Sequence, residues 1–375
     1  MTRDTIAEIH LSAFQHNYQI VQLQAPQQKI IPVIKADAYG HGSVAAANAL
    51  PQADAFAVAF LEEALVLREA GIQQPILLLE GVNHADEWLL AVQNNCWVVI
   101  HGQHQLDWLK KSKLEKPVTI WLKINTGMNR LGIEVTQLES SLDQLKKLPQ
   151  VKTIILMTHF ACADEPQHPL HQQQLEAIRK IRQQFPEMIM SCANSAAILS
   201  QDPSNKIPPN PPFSKGGIMQ QEDWVRPGIM LYGSSPFSNR AAVACQLKPV
   251  MHLKSRIIAC RELNRGDAVG YGATWVAVRP SRIAVLAIGY ADGYSRVAQS
   301  QRAVWIHDRC CPVIGRVSMD TIMIDVTDHP QVQLGDWAEI WGEHISVDQA
   351  AKAVGTIGYE LLSGLTRRVP RVYLL

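Results

Sequence analysis

"KIIPVIKADAYGHG", Lys29 to Gly42, is the stretch on which the fold turns. It runs apolar to Ile34, meets a single lysine, Lys35, and then breaks into small and polar residues. A short apolar run that ends at a turn signal reads as a buried parallel strand. A lysine at the end of such a strand is costly to bury, so Lys35 calls for a functional reason.

The same pattern recurs downstream. "AFAVAF" from Ala55, "PILLL" from Pro75, "WVVI" from Trp97, "VTIWLKI" from Val118, "TIILMTHF" from Thr153, "MIMSCAN" from Met188 and "VRPGIMLYG" from Val225 are strand-like. Helix-like stretches such as "LEEALVLREAG" and "HPLHQQQLEAIRKIRQQF" separate them. Strand–helix alternation predicts parallel strands with helical crossovers. With the opening stretch there are eight strands, which predicts an α/β fold whose N-terminal part, residues 10–240, is a (β/α)8 TIM-type barrel. An open doubly wound sheet is the alternative, but no GxGxxG follows the first strand. "GYGATW" at Gly270 has two glycines of that pattern and lacks the third.

From 241 to 375 the chain reads as a mainly β C-terminal domain, joined by the first few residues. Runs such as "SRIAVLAIGY" and "DWAEIWG" alternate with Gly–Asp and Asn–Arg–Gly turns, and one helix, "SVDQAAKAVGTIGYELLSGL", precedes a last strand. The proline-rich segment at 202–217 fits neither pattern and reads as an exposed insertion before the eighth strand.

The 375 residues are 47% apolar and 18% charged, with net charge +1. That balance gives no footing for nucleic acid or an anionic membrane surface as partner. The apolar runs are strand-sized, too short to span a bilayer. No basic stretch followed by an apolar one opens the chain. The seven cysteines contain no CxxC pair and read as reduced thiols, so a cytoplasmic protein is expected. Two HxxH pairs, His101 with His104 and His168 with His171, read as solvated helix or loop faces, and no metal site is expected.

In a barrel of this kind the active site lies at the C-terminal ends of the strands. There the sequence delivers Lys35 with Asp37, Tyr39 and His41; Lys123, Asn125 and Arg130; His159; Asn194 and Ser195; and Arg226 and Gly228. Lysine and arginine dominate, and no paired carboxylates suit glycoside chemistry. A cationic site with serine, tyrosine and a glycine turn suits a phosphate. A phosphate beside a buried amine points to pyridoxal phosphate, held by a lysine whose pKa is lowered by its surroundings.

"VIKADAYGHG" resembles the cofactor-attachment motif of the alanine racemases. "KINTGMNRLG", "THFACADE", "ANSAA", "RPGIMLYG", "VGYGATW", "IGYADGY", "GRVSMD" and "GYELL" are similar to that family's other segments, in the same order. The resemblance implies a barrel followed by a β domain, assembled as a head-to-tail homodimer. It implies interconversion of L- and D-alanine by two-base proton exchange on a pyridoxal 5'-phosphate aldimine, supplying D-alanine for peptidoglycan.

Residue by residue, it implies that Lys35 holds the cofactor and acts as one base, and that Tyr271 from the second subunit acts as the other. Tyr39, Ser195, Gly228, Ile229 and Tyr359 would bind the phosphate, with His159 under the ring and Asn194 nearby. Arg130 would meet the cofactor's phenolic oxygen and the substrate, and Met319 the substrate carboxylate. Tyr290, Arg296, Arg316 and Asp320 would line the corridor leading in. Lys123 matches a lysine that is often carbamylated; the alternative is a lysine paired with a carboxylate. Arg226 would face the pyridine nitrogen. Arginine does not give up its proton, so the ring would stay a weak electron sink, which suits racemisation and disfavours transamination. A phenol with its ordinary pKa of about 10 is a poor base, so Tyr271 needs a donor such as His159, itself linked to Arg226.

The chain has Asn125 where the family often has aspartate, Asn129 where glycine is common, and Ser318 where cysteine is frequent. Competing readings are a racemase of serine or of broader specificity, a barrel-type amino-acid decarboxylase, and a non-catalytic pyridoxal-phosphate carrier. Taken singly, His159 reads as a core histidine, Tyr39 and Tyr359 as half-buried tyrosines, Asp320 with Arg316 as a surface ion pair, and His41 as a loop or cap residue. Trp88, Trp108 and Trp121 read as packing.

Overall fold

The computed structural model describes residues 3–200, 222–297 and 302–375. The proline-rich segment at 202–217 lies outside these residues.

Strand β1, Thr5–His10, opens the chain and belongs to the second sheet. The barrel follows as β2 Lys29–Ile30, β3 Phe56–Val58, β4 Ile76–Leu78, β5 Cys96–Ile100 and β6 Val118–Asn125. After a short strand, β7 Ile133–Glu134, that pairs with β6, it continues as β8 Val151–Met157, β9 Met190–Ser191 and β10 Trp224–Val225. The parallel order is β2-β10-β9-β8-β6-β5-β4-β3. The ring closes at Val33, which bridges Ala57: Ile34 N–H donates to Ala57 O at 2.8 Å, and Ala57 N–H donates to Pro32 O at 2.9 Å.

Side chains alternate across each strand, and here both faces are buried. Ile31, Val33, Ala57, Leu77, Val99, Trp121, Ile155, Met157 and Trp224 fill the barrel interior as a core of their own. Their neighbours, among them Phe56, Ile76, Val98, Ile120 and Leu156, pack outward against the helices. This explains why the strands read as unbroken apolar runs. The rings of Trp97 and Trp224 meet edge to face at 5.4 Å, and Trp121 is fully buried beside them. Trp121→Ala would cost about 3–5 kcal/mol through the cavity it leaves.

Several strands are shorter than the sequence predicts, among them "MIMSCAN", strand only at Met190–Ser191. "KIIPVIKA" is strand only at Lys29–Ile30, because Pro32 lacks an N–H and the chain turns at Lys35. "VRPGIMLYG" is strand only through Val225; after Pro227 and Gly228 the chain winds into a 3-10 turn, Ile229–Tyr232.

The second domain contributes β11 Met251–Leu263, β12 Ala268–Val269, β13 Trp275–Val276, β14 Ser281–Leu286, β15 Ala303–Ile306, β16 Arg309–Ile314, β17 Ile322–Asp325, β18 Trp337–Trp341 and β19 Arg371–Leu374. Its main sheet runs β14-β17-β16-β15-β18-β11-β1-β19, and β12–β13 is a separate hairpin. The single helix expected from "SVDQAAKAVGTIGYELLSGL" is two, Val347–Val354 and Gly358–Gly364. Gly355, at φ 74°, ends the first in the left-handed conformation that glycine adopts most easily. Ser346 and Gln349 form a capping box at its start, worth about 1 kcal/mol. Among the described residues no helix is long and apolar enough to cross a membrane.

Candidate active site

The basic side chains converge where the barrel strands end. Lys123 comes from the end of β6, His159 from just beyond β8, Arg226 from just beyond β10, and Lys35 from the closing segment. Lys123 is buried, and its amine is pushed down to about 8 by burial and by the charges of Arg130, Arg226 and Lys35, with Glu80 opposing. Among the described residues no carboxylate pairs directly with it; Glu80 acts only at a distance.

Arg226 is buried and fully engaged. It donates to Ser191 Oγ at 2.5 Å and to Thr158 O at 2.6 Å, and it faces His159 Nδ1 at 3.3 Å. Burial lowers its pKa to about 10, so it stays charged at neutral pH. Burial, then the charges of Arg226, Arg130, Lys123 and Lys35, holds the His159 imidazole far below its ordinary pKa. His159 is therefore neutral. A guanidinium can only donate, so Nδ1 accepts and Nε2 carries the proton. His159 thus presents an N–H away from Arg226.

A small cradle lies beside this cluster. Ser195 Oγ accepts from Gly228 N–H at 2.9 Å and from Met230 N–H at 3.4 Å. A Cβ on Gly228 would come within 2.8 Å of the Tyr39 hydroxyl and 3.9 Å of Ser195 Oγ, so only glycine leaves the space open. The Tyr39 ring stacks on Tyr232 at 4.6 Å and lies 6.0 Å from Tyr359. Burial pushes the Tyr39 phenol up to about 12 and raises that of Tyr359, so both keep their protons as donors. Ile229 is buried at the start of the 3-10 turn. Asn194 caps the helix Ser195–Leu199, its side chain accepting from Ala197 N–H at 3.1 Å.

The link from Lys35 to Tyr39 is a full left-handed turn. Ala36, Asp37, Ala38 and Tyr39 have φ of 52°, 52°, 53° and 52°. Such a conformation costs about 1–2 kcal/mol per residue, so the surroundings must enforce it. Ala38 N–H donates to Ile34 O at 2.9 Å, and Ala36 N–H to Glu63 Oε1 at 2.6 Å. Asp37 Oδ1 accepts from Ser43 N–H at 2.8 Å, and Arg371 Nε donates to Gly40 O at 3.0 Å. His41 Nδ1 lies 3.0 Å from Ala38 O and 2.9 Å from Tyr39 O; facing two carbonyls, it must carry the proton. His41 is thus a structural clasp on the turn. Tyr232, whose hydroxyl donates to Val33 O at 2.8 Å, supports the same turn from beneath. Sequence reasoning missed Tyr232 because "RPGIMLYG" read as a strand; the aromatic pairing with Tyr39 exists only once the barrel closes.

Asn125 forms the loop beyond β6. Its Oδ1 accepts from Gly127 N–H at 3.1 Å and Asn129 N–H at 3.0 Å. Asn129 has φ 57°, the left-handed conformation that glycine or asparagine takes most readily. Arg130, just beyond it, is exposed.

The remaining residues that the sequence points to lie on the β domain. Tyr271 sits in the turn between β12 and β13 and is 68% exposed. Gly272 lets the Arg316 guanidinium approach closely: a Cβ there would stand 3.0 Å from Arg316 Nη1. Asp320 pairs with Arg368 at 2.6 Å, which corrects the expected pairing with Arg316. The Arg296 guanidinium lies 6.0 Å from the Tyr290 ring. Met319 is half exposed, and its backbone N–H makes no hydrogen bond among the described residues. Nothing among the described residues joins Tyr271 or Met319 by hydrogen bond or ring contact to Lys35, Arg226 or His159.

The family model for the alanine racemase N-terminal domain matches residues 9–236, and that for the C-terminal domain matches residues 250–373. The chain is similar to the alanine racemase of Stutzerimonas stutzeri strain A1501, 45% identical over 373 residues, with 99% of each chain covered. Its structure is similar to the crystal structure of biosynthetic alanine racemase from Pseudomonas aeruginosa, with TM-score 0.91, 42% identity and 100% of both chains covered. A Bartonella henselae alanine racemase solved with covalently bound pyridoxal phosphate superposes with TM-score 0.85 at 29% identity over 99% of both chains. The chain belongs to the alanine racemase family, isomerases that interconvert L- and D-alanine.

Proposed function

We propose that the chain racemises alanine with pyridoxal 5'-phosphate at the barrel mouth, as a cytoplasmic homodimer, and so supplies D-alanine to the cell wall. The carrying observation is the cradle of Gly228, Ser195 and Tyr39, kept open by the missing Cβ and set beside a cluster of cations. These residues fit the cofactor: a backbone N–H, two hydroxyls and a neighbouring Tyr359 suit a phosphate, and Lys35 supplies the amine. The covalently loaded Bartonella henselae relative supports the same reading. When bound, pyridoxal phosphate supplies a conjugated acceptor for the charge that develops at the substrate's Cα.

The chain's own residues do the rest. Lys35 holds the cofactor, and its amine, once released, moves a proton at one face of Cα. Tyr271 from the second chain moves a proton at the opposite face. Two bases are needed because a single one returns its proton to the face it left. His159, with its Nε2–H directed away from Arg226, is placed to stabilise a phenolate. Arg226 remains charged and committed to three acceptors, which keeps a proton from the pyridine nitrogen and limits side reactions. Arg130 and the free N–H of Met319 would bind the carboxylate, and Tyr290, Arg296, Arg316 and Asp320 would line the corridor. The matched segments, ending at 236 and resuming at 250, support a division of the chain near residue 240.

Lys35→Ala tests the assignment. A general acid–base group contributes about 10²–10⁴-fold, and Lys35 also anchors the cofactor, so the loss should reach the upper end. The change in optical rotation on incubation with L-alanine should vanish, together with the visible absorbance of bound cofactor. A variant that keeps both would sink the proposal.

A further inference from the structure

Away from the barrel mouth, β1 and β11 pair antiparallel with Glu8 directly opposite His252. Residues two apart on a strand share a face, so His10 stands beside both. The His10 and His252 rings lie 4.2 Å apart, centre to centre. His10 Nε2 is 3.8 Å from Glu8 Oε2, and one ligand atom from each of the three residues lies within 4.8 Å of the other two. His10 Nε2 is buried with no hydrogen-bond partner. A buried polar atom left unpaired is rare and asks for an explanation. His10 is also the residue before the helix Leu11–Gln24, yet its side chain makes no cap hydrogen bond. Capping therefore does not account for it.

We propose that Glu8, His10 and His252 bind a borderline divalent cation of the zinc type. Two imidazoles and one carboxylate with solvent in the fourth position is a ligand set such ions accept, and zinc–nitrogen bonds of about 2.0–2.1 Å are reached from these spacings by side-chain rotation. Lys254 Nζ already bonds Glu8 Oε2 at 2.6 Å, so the ion must share that carboxylate with the ammonium or displace it. Glu339 cannot substitute for Glu8: it is taken up by the backbone N–H groups of Glu343, His344 and Ile345. His252 lies far along the chain from Glu8 and His10, so no spacing motif announced the site, and it departs from the expectation of no metal. A bound ion would clamp the strand that leads from the β domain into the barrel.

The test is a calorimetric titration of the untagged, chelator-stripped protein with zinc chloride, followed by X-ray absorption at the zinc edge. Wild type should bind one equivalent with two imidazole nitrogens at about 2.0 Å. His10→Phe and His252→Phe, which keep an aromatic ring in place, should each lose that equivalent while retaining racemase activity. Glu8→Gln should bind at least about tenfold more weakly, since even loss of an outer partner costs about 10–100-fold. No binding by wild type, a sulfur-containing shell, or an undiminished equivalent in His252→Phe would overturn the proposal. Should a histidine variant fail to fold, the wild-type spectrum and Glu8→Gln still decide it.

Discussion

Lys123 is the residue where burial and chemistry pull together. An amine lowered to about 8 is partly neutral near physiological pH, and only a neutral amine attacks carbon dioxide. In that step a nitrogen–carbon bond forms, one carbon–oxygen π pair moves onto oxygen, and a proton leaves to solvent. The product is an anion among cations, next to Arg130. Carbamylation of Lys123 is therefore the expected state. With ¹³C-labelled bicarbonate, a carbamate resonance should appear, strengthen as pH rises through about 8, and be missing in Lys123→Met. A free amine at saturating carbon dioxide above that pH would refute it. At this scale the sequence was informative wherever a strand ended. Lys35, Lys123, His159 and Arg226 could be named because parallel strands deliver their last residues to one rim. The tautomer of His159 was not legible, since it follows from which atom Arg226 faces.

The left-handed turn from Ala36 to Tyr39 is an element that apolar periodicity does not reveal. Pattern reasoning ran the strand through Lys35, because nothing in "KADAY" signals positive φ at four successive residues. The reason lies in distant partners, Glu63, Arg371 and Tyr232, together with His41. His41 is buried and its pKa falls from 6.5 to about 4, chiefly through burial. A folded pKa below the unfolded one means that the stabilisation is present above pH 6.5 and is lost as pH falls toward about 4. The gap corresponds to about 3 kcal/mol at most. Acid unfolding followed by circular dichroism should thus steepen in that window. His41→Gln, which keeps a neutral donor, should flatten it, while His41→Ala should destabilise by about 2–4 kcal/mol above pH 6.5 through lost hydrogen bonds and a cavity, a difference that shrinks as pH falls toward about 4. His41→Ala should also release pyridoxal phosphate on dialysis faster than wild type, because Lys35 and Tyr39 lie at the two ends of the turn. An acid profile for His41→Gln that overlays wild type would show that His41 titration does not limit stability.

Across the whole molecule, the expected site residues divide by exposure. Lys123 and Arg226 at the barrel mouth are buried, whereas Tyr271, Met319 and Tyr290 on the β domain are exposed by 68%, 52% and 40%. The order of domains was readable from the change of period along the chain, but the distance between Tyr271 and Lys35 was not, because in the proposed homodimer it would depend on how two chains meet. In the proposed homodimer, a second copy would cover the exposed Tyr271, Met319 and Tyr290. If each site joins one chain's Lys35 to the other chain's Tyr271, Lys35→Ala and Tyr271→Phe should each be nearly inactive alone. Mixed after dissociation, half of the dimers carry one variant of each kind. In such a dimer one site holds both substitutions and the other holds neither. Random pairing therefore restores about one quarter of wild-type activity, the signature of a site shared across a two-fold axis. If Lys35 and Tyr271 acted within one chain, every site in every mixed dimer would keep a defect. The mixture would then stay as inactive as its parents, even with subunit exchange verified by mass-labelled chains.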